Sequence, residues 1–230
     1  MKALFTALLT SFFFTGYAQT DCKPYMPTEE GSTWELTHYS KKDKVTGSTK
    51  YELLEKKATG DDITFKIRAT SSDEKGEEIY INEFEAYCRE GVFEMDMTGM
   101  LKGETMAAYE SMDVTVDASD YPLPNLDEAA GTPLKDGTMT VQVAMNGVNS
   151  FRMTIEVTDR LVEGRESMET TAGTFDCVKI TQTVKTKMVV KIQASTIEWY
   201  APGVGVVRSD SYDKKGRLTG YSVLTSIDAK

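Results

Sequence analysis

Residues 138–158 read TMTVQVAMNGVNSFRMTIEVT, and this stretch decides the fold class. Apolar and polar side chains alternate on both sides of the dipeptide Asn146-Gly147. Alternation with a period of two is typical of a β-strand with one buried face. Asn-Gly favours the tight turn that joins two antiparallel strands. The stretch therefore predicts a β-hairpin whose dry face carries Met139, Val141, Val143, Met145, Phe151, Met153, Ile155 and Val157.

The same alternation recurs along most of the chain, for example in residues 63–70, ITFKIRAT. Glycine-containing turn signals separate the alternating runs, as at 59–61, 74–76 and 215–216. No series of strand and helix patterns suggests a parallel sheet. The sequence predicts a mainly all-β fold, a curved antiparallel sheet forming a half-open barrel or sandwich of about 11–12 strands, because so many strands accumulate twist.

Two segments depart from this pattern. Residues 101–112, LKGETMAAYESM, are rich in helix formers and predict one short helix. Residues 120–137 contain three prolines and predict an irregular crossover. The remainder is long enough to bury a sizeable core, so residues 19–230 are expected to form a single domain.

The first 18 residues, MKALFTALLTSFFFTGYA, resemble a cleaved signal peptide. A lysine precedes an apolar run, which ends in the small residues Gly16 and Ala18. The run is shorter than the ~20 residues that span a bilayer, and no later segment is that long, so the mature chain is expected to lack a transmembrane segment. We expect an exported protein, either periplasmic or associated with the outer membrane or extracellular.

The chain has 36 acidic and 26 basic residues, a net charge of −10 and a pI near 4.8. This balance excludes nucleic acid as a plausible partner. Basic residues nevertheless cluster in two similar segments, HYSKKDKVTG at 38–47 and SYDKKGRLTG at 211–220, both predicted hairpin tips. They are either ordinary soluble turns or a pair of cationic loops that contact phosphate or carboxylate groups of an envelope glycan.

The three cysteines, Cys22, Cys88 and Cys177, are expected in an oxidising compartment. Cys22 precedes the first predicted strand and Cys88 ends the fourth, and these points meet at one end of an antiparallel meander. We favour a disulfide between Cys22 and Cys88. Cys177 alternates with Phe175 and is interpreted as a buried, inert thiol.

No residue pattern predicts catalysis, and no catalytic residue, metal site or cofactor is assigned. The only histidine, His38, shares a strand face with Trp34 and is interpreted as a half-buried imidazole at a strand end. Glu83 and Glu85 continue the series of alternate positions that begins with the apolar residues Ile79 and Ile81, so all four are expected on one face of the strand. Either they point into a cavity, as a hydrolase would require, or a β-bulge switches the faces; we favour the bulge because it buries no charge.

Methionine is unusually frequent, with 12 residues in the chain. Its thioethers are adaptable, so a wall built from them either packs as plain core or lines a cavity for an apolar ligand. Copper(I) binding by the Met95–Met100 cluster is a third alternative. Trp199-Tyr200 either anchors the core or stacks on sugar rings. The candidates for the lining of a ligand cavity are Trp34, Phe93, Met95, Met97, Met139, Met145, Met153, Trp199 and Tyr200.

Four segments resemble one family: CKPYMP at 22–27, GSTWE at 31–35, TTAGTFDC at 170–177 and WYAPGVGVV at 199–207. Together they resemble TapB-like exported proteins of Gram-negative bacteria, close to domain-of-unknown-function family 3108. The resemblance implies a curved antiparallel sheet, distantly similar to the lipoprotein-carrier barrels of the periplasm, with a concave apolar face. It brings no catalytic residues.

The sequence therefore favours a non-enzymatic envelope protein that holds a lipid or another apolar small molecule on a concave β face. One alternative is an interaction module that binds an envelope glycan or protein through aromatic and basic loops. A hydrolase is a less favoured alternative, because it needs a cleft with converging carboxylates.

Overall fold

The structure is a computed structural model that describes residues 22–100, 112–124, 128–145, 148–188 and 190–230. Thirteen antiparallel strands form one sheet, and the regular helical structure described is one 3₁₀ turn, Met97–Met100. The strands are β1 (Thr33–Ser40), β2 (Val45–Thr59), β3 (Asp62–Asp73), β4 (Glu78–Arg89), β5 (Val92–Asp96), β6 (Asp113–Ala118), β7 (Asp120–Pro122), β8 (Gly137–Met145), β9 (Val148–Thr170), β10 (Gly173–Lys187), β11 (Lys191–Ala201), β12 (Gly205–Asp213) and β13 (Leu218–Asp228).

The predicted all-β class and the curved antiparallel sheet are confirmed. The observed strand count exceeds the predicted one partly because β7 lies in the segment predicted as an irregular crossover. There, Asp120–Pro122 pairs with β5 before the chain becomes irregular. The predicted helix at 101–112 falls almost entirely outside the described residues. No helix among the described residues has the length and apolar character needed to cross a membrane.

The order of strands in the sheet explains its curvature. It runs β6-β8-β9-β10-β11-β12-β13-β1-β2-β3-β4-β5-β7, so β6 and β7 are the two edge strands. These two strands are consecutive in the chain and are separated by one residue, Ser119. A single residue cannot span a flat sheet of this width, so the two edges must lie side by side. The sheet is therefore rolled into a half-open barrel.

The pairing of β6 with β8 continues through Ser119, the residue that joins the two edge strands. Ser119 donates its backbone N–H to the carbonyl of Thr138, and its hydroxyl accepts the N–H of Thr138, both at 2.9 Å. Gly137, at the start of β8, leaves room for the seam: a Cβ at this position would lie 2.6 Å from the sulfur of buried Met97. Met97 can pack closely against the start of β8 because residue 137 is glycine, and a larger residue at this position would collide with it.

The interior is filled mostly by one apolar cluster, which includes Leu53, Phe65, Ile67 and Met139. A smaller cluster lies on the other face of the sheet around β10–β12, where Trp199, Cys177, Ala201 and Val207 pack together. Burial raises the pKa of the Cys177 thiol to about 12, so the thiol stays protonated and inert at neutral pH.

The N-terminal segment closes one end of the rolled sheet. Tyr25 and Met26 are almost fully buried beneath it. The carbonyl of Pro24 accepts the N–H of Gly203 at 2.7 Å, and the Tyr25 hydroxyl donates to the carbonyl of Pro124 at 2.8 Å. A disulfide joins Cys22 to Cys88 at the end of β4, as the sequence suggested, with Cα atoms 5.9 Å apart.

We predict that replacing both disulfide cysteines with serine, Cys22→Ser and Cys88→Ser, lowers the free energy of unfolding by about 4 kcal/mol. The reason is that the bond removes the closure entropy of a long loop from the unfolded chain, the two cysteines being 66 residues apart. Urea unfolding followed by tryptophan fluorescence measures the loss. Cys177→Ala is the matched control, expected to cost about 1 kcal/mol. An unchanged urea midpoint in the double variant would contradict the prediction.

Candidate functional site

A trough runs along the concave face of the sheet and encloses about 460 Å³. Its walls come from β1–β5 and β11–β13, with Tyr121 of β7 and the N-terminal segment at the base. This volume lies within the range typical of small-molecule sites. The trough is therefore the candidate functional site.

The trough is apolar at its closed end. Trp34 and Tyr51 stack there with ring centroids 5.3 Å apart, and Tyr51 meets Phe84 edge to face. Tyr25 and Met26 of the N-terminal segment close this end from below. The apolar end therefore offers aromatic and aliphatic contacts to a ligand but few hydrogen bonds.

The lining becomes polar along each strand toward the other end, which we call the mouth. In β1 the inward residues change from Trp34 and Leu36 to His38; in β3 they change from Ile67 and Ala69 to Ser71. The mouth is lined by hydroxyl-bearing residues on five strands: Thr46, Ser48, Thr49, Ser71, Ser72, Tyr80, Ser209, Ser211, Thr219 and Ser222. The trough is thus amphipathic along its length.

His38 connects three strands at the mouth. Its Nδ1 lies 2.8 Å from the hydroxyl of Ser222 on β13, and its Nε2 lies 2.9 Å from the hydroxyl of Thr49 on β2. Gly47 faces His38 across the β1–β2 pair, and a Cβ there would lie 2.4 Å from the carbonyl oxygen of Ser72, so glycine allows β3 to approach closely. With hydroxyls at both ring nitrogens, the imidazole is a structural and hydrogen-bonding residue of the wall, in line with the sequence-based interpretation.

A polar row crosses the sheet at the level of His38. The strand registers place His38 opposite Ser222, Ser222 opposite Ser209, and Ser209 opposite Glu198. Side chains directly opposite one another in antiparallel strands are close enough to interact. The row therefore connects the hydroxyls of the mouth to a buried carboxyl group.

That carboxyl group belongs to a buried polar cluster in the wall of the trough. The Tyr200 hydroxyl donates to Glu198 Oε2 at 2.6 Å, and the Tyr121 hydroxyl donates to Gln182 Oε1. Arg160 lies 3.6 Å above the Tyr121 ring. Its guanidinium donates to the carbonyls of Lys135 and Pro122 at 2.6 and 2.9 Å, which joins β9 to the irregular segment and to β7.

Burial controls the ionisation of this cluster. Removal from water raises the pKa of Glu198, and the hydrogen bond from Tyr200 and the charge of Arg160 only partly oppose this. Burial, with the nearby charge of Glu198, raises the pKa of Tyr51 to about 12. The tyrosine hydroxyls of the trough therefore remain neutral donors at physiological pH.

The charge of the lining is unusual for a site of this size. Among the described residues that line the trough there is no lysine or arginine, and the acidic residues are Asp96 and Glu198. An anionic head group would meet no compensating charge here. The lining is suited to a neutral group rich in hydroxyls.

The structure places four of the sequence-predicted cavity residues in the lining: Trp34, Met95, Met97 and Tyr200. Phe93, Met139 and Met153 face the interior but are buried in the core cluster away from the trough. Alternation alone does not distinguish core from cavity, because both lie on the dry face. The side chain of Met145 lies outside the described residues.

Trp199 faces away from the trough, although Tyr200 lines it. Consecutive strand residues point to opposite faces, so the pair cannot act together. Trp199 instead packs in the smaller cluster and donates to Glu166 Oε2 at 2.9 Å. Its exposure of 7% leaves no surface on which a sugar ring could stack.

The expected bulge near Glu83 and Glu85 is wrong, as is the alternative that both acids enter a cavity. The β3–β4 register is continuous through this part of β4, and the alternation is regular. Phe84, Ala86 and Cys88 point inward. Ile81 shares the outer face with the acids, 54% exposed, and Glu83 pairs there with Lys66 and Arg68.

Several residues of the site were not singled out from the sequence, above all Glu198, Arg160, Tyr121 and Gln182. A signal for the mouth was present: small hydroxyl residues continue the inward parity of apolar runs, as Ser71 does after Ile67 and Ala69. Arg160, Gln182 and Glu198 lie on the consecutive strands β9, β10 and β11. Tyr121 of β7 joins them only because the sheet is rolled.

Comparisons with known proteins support the fold. Residues 29–224 match the sequence profile of the DUF3108-like family. A protein of Bacteroides fragilis, predicted to be exported and described as having a YmcC-like fold, is 26% identical, with a TM-score of 0.80 over 90% of this chain and 100% of that chain. A predicted lipoprotein of Parabacteroides distasonis is 24% identical with the same TM-score and coverage. No curated protein matches the chain.

We predict that Glu198→Gln stabilises the protein at pH 7 but not at pH 4. The folded-state pKa of Glu198 is raised, so the folded protein binds this proton more tightly than the unfolded chain does. Its contribution to stability is therefore full below the unfolded-state pKa and decreases as the pH rises toward the folded-state value. Glutamine imitates the protonated form and removes this loss. Urea unfolding at both pH values provides the measurement.

Glu166→Gln is the matched control with the opposite sign. The hydrogen bond from Trp199 lowers the pKa of Glu166, so its contribution is present above the unfolded-state pKa and is lost as the pH falls. Glu166→Gln should therefore lower stability at pH 7. Equal effects of the two substitutions at pH 7 would refute the assignment of Glu198 as a carboxyl destabilised by burial.

Proposed function

The chain belongs to the DUF3108-like family, and we propose that this member is a non-enzymatic protein of the cell envelope that holds one lipid-like molecule in its trough. The observation that carries the proposal is the amphipathic lining of the 460 Å³ trough, apolar at the closed end and rich in hydroxyls at the mouth. An exported relative and a lipoprotein relative of the same fold support an extracytoplasmic location.

The apolar end would receive a hydrocarbon chain. Burial of a chain against Trp34, Tyr51, Phe84 and Met97 removes apolar area from water, which contributes about 25 cal/mol per Å². Met95 and Met97 add adaptable thioether contacts, so the wall would accept chains of different shape. No group of this end demands a specific polar partner, which favours a class of ligands over one compound.

The mouth would receive the head group. Ser and Thr hydroxyls and the imidazole of His38 both donate and accept hydrogen bonds, and they match the hydroxyls of a glycerol or a sugar. The absence of lysine and arginine from the described lining disfavours a phosphate or a free carboxylate, which would be desolvated without a partner. We therefore propose a neutral, hydroxylated head group on a single-chain lipid.

A purely glycan-binding trough is the second candidate, and one observation favours it. The hydroxyls of Ser71, Ser209 and Ser222 at the mouth suit the hydroxyls of a sugar. The closed half of the trough argues against it, because Trp34, Leu36, Tyr51 and Phe84 would bury little against a polar saccharide. The lipid-like ligand accounts for both halves of the lining.

We predict that 1-monooleoylglycerol binds in the trough more tightly than oleate, which has the same chain and an anionic head. A brominated analogue quenches tryptophan at short range. In Trp199→Phe, which retains Trp34 in the lining, the analogue should quench most of the fluorescence; in Trp34→Phe, which retains Trp199 outside the trough, it should quench little. Equal quenching in both variants would place the ligand elsewhere.

Filling the trough provides a second test. Ala69 lines it between Tyr51 and Asn82, so Ala69→Trp should abolish binding by occupying the space. Ala58→Trp, at an exposed position of β2, is the matched control and should bind normally. Native mass spectrometry of the protein purified from its own host should show a bound lipid in the parent and in Ala58→Trp, and none in Ala69→Trp. An unbound parent with no affinity for either lipid would reject the proposal.

A further inference from the structure

Three neighbouring hairpin loops lie at the end of the sheet that holds the mouth. They join β10 to β11, β12 to β13, and β1 to β2, and these six strands are consecutive in the sheet. We call residues 187–188, 190–191, 214–217 and 41–45 together the basic rim. It includes eight basic residues and one acid, Asp43: Lys41, Lys42, Lys44, Lys187, Lys191, Lys214, Lys215 and Arg217.

The charge of the basic rim is largely uncompensated. Arg217 pairs with Asp213, and Lys187 pairs with Glu156. The other six basic side chains form no ion pair with any residue that the structure describes. On a chain of net charge −10, this concentration of positive charge is a strong local exception.

Exposed apolar side chains occur at the same place. Five large apolar residues of the described chain are strongly exposed, and three of them belong to the basic rim: Val45 at 42%, Met188 at 42% and Val190 at 67%. Ile192, 57% exposed, follows directly on β11. Surface apolar residues are ordinarily scattered, so this grouping beside lysines indicates a surface for contact.

The hairpin loops at the opposite end of the sheet carry no lysine or arginine. The loop between β2 and β3 carries Asp61, and Asp62 follows; the loop between β4 and β5 begins at Glu90. The turns at 171–172 and 202–204 carry no charge. The end that holds the mouth is not uniformly basic, because the β3–β4 loop beside β2 carries Glu74 and Glu77 with Lys75, after Asp73. The basic rim is the part of this end formed by the three loops named above.

We infer that the basic rim docks on the surface of a membrane that contains anionic lipids. Lysines around protruding apolar side chains fit this partner, because the ammonium groups meet the anionic head groups and the apolar tips enter the interface below them. A soluble polyanion would satisfy the lysines but would leave Val190 and Ile192 in water. In the docked orientation the mouth of the trough faces the membrane.

Vesicle flotation tests this inference with the purified protein and no added ligand. The protein should float with phosphatidylcholine vesicles that contain about 30 mol% phosphatidylglycerol, and much less with phosphatidylcholine alone. Salt at about 0.5 M should weaken the binding, since it screens exposed charges. Failure to float with either vesicle would overturn the inference, whether or not the trough binds a lipid.

Charge variants test the location. Lys42→Gln, Lys214→Gln and Lys215→Gln together should weaken partitioning on the order of 100-fold, at about fivefold for each lysine. Lys23→Gln, Lys56→Gln and Lys57→Gln make the same change in net charge at the other end and should leave partitioning within about twofold of the parent. Equal losses in both triple variants would overturn the inference in favour of a net-charge effect.

Apolar variants separate a membrane from other polyanions. Val190→Ser with Ile192→Ser should weaken vesicle binding at least tenfold, and Ile81→Ser, exposed but away from the basic rim, should not change it. All these positions are exposed, so circular dichroism and urea midpoints should match the parent. Binding to soluble polygalacturonate that survives in Val190→Ser/Ile192→Ser, with no loss of vesicle binding in that variant, would overturn the assignment of a bilayer as the partner.

Discussion

The meeting of the two sheet edges at Ser119 is the constraint on which the rest of the structure depends. Because β6 and β7 are joined by one residue, the hydrogen-bonded order of thirteen strands must return to its starting point in space. Arg160 stabilises the return by bonding backbone carbonyls on the irregular segment and on β7 while covering the Tyr121 ring. A buried guanidinium with these partners is costly to remove, since the carbonyls would lose their donors. The sheet is curved enough to form the trough but leaves the mouth of the trough open.

The lining of the trough changes from apolar to polar because the inward residues at its two ends pack against different surroundings. Near the closed end, inward residues pack against the N-terminal segment and the opposite wall, so aromatic and aliphatic side chains are stabilised there. Near the mouth none of the residues that the structure describes forms a second layer over the sheet, and inward residues face the trough. Small hydroxyl residues and one imidazole satisfy each other across the strands without filling the space, as in the contacts of His38 with Ser222 and Thr49. The space at the mouth thus results from the small size of the lining side chains as well as from the curvature of the sheet.

Most of the fold could be predicted from the sequence, because alternation and turn residues are local signals. Residues 138–158 form the predicted pair of strands, β8 and β9.

The candidate site was harder to predict from the sequence. Alternation identified the dry face but could not separate Met139, which packs in the core, from Met97, which lines the trough; that distinction depends on the opposite wall. Ile81 made the sequence-based interpretation of β4 wrong, because an exposed isoleucine has the same sequence signature as a buried one. The sequence also did not show which of the adjacent residues Trp199 and Tyr200 faces the interior. Tyr121 meets Gln182 and Arg160 only through the rolled sheet.

The two similar basic segments acquire a physical explanation in the structure. Their strands β1 and β13 are paired, so the loops 41–44 and 214–217 are neighbours, and Tyr221 of one strand stacks on Tyr39 of the other. The antiparallel order of the strands brings these two loops to the same end of the sheet, where their positive charges repel each other. Their neighbouring hairpin adds Lys187, Lys191 and the exposed Val190 to the same end. Mutual repulsion of this kind is tolerated where a partner of opposite charge relieves it, and the apolar tips require that this partner also offer a non-aqueous layer. A membrane surface meets both conditions at once, at the end of the molecule where the trough carries its hydroxyls.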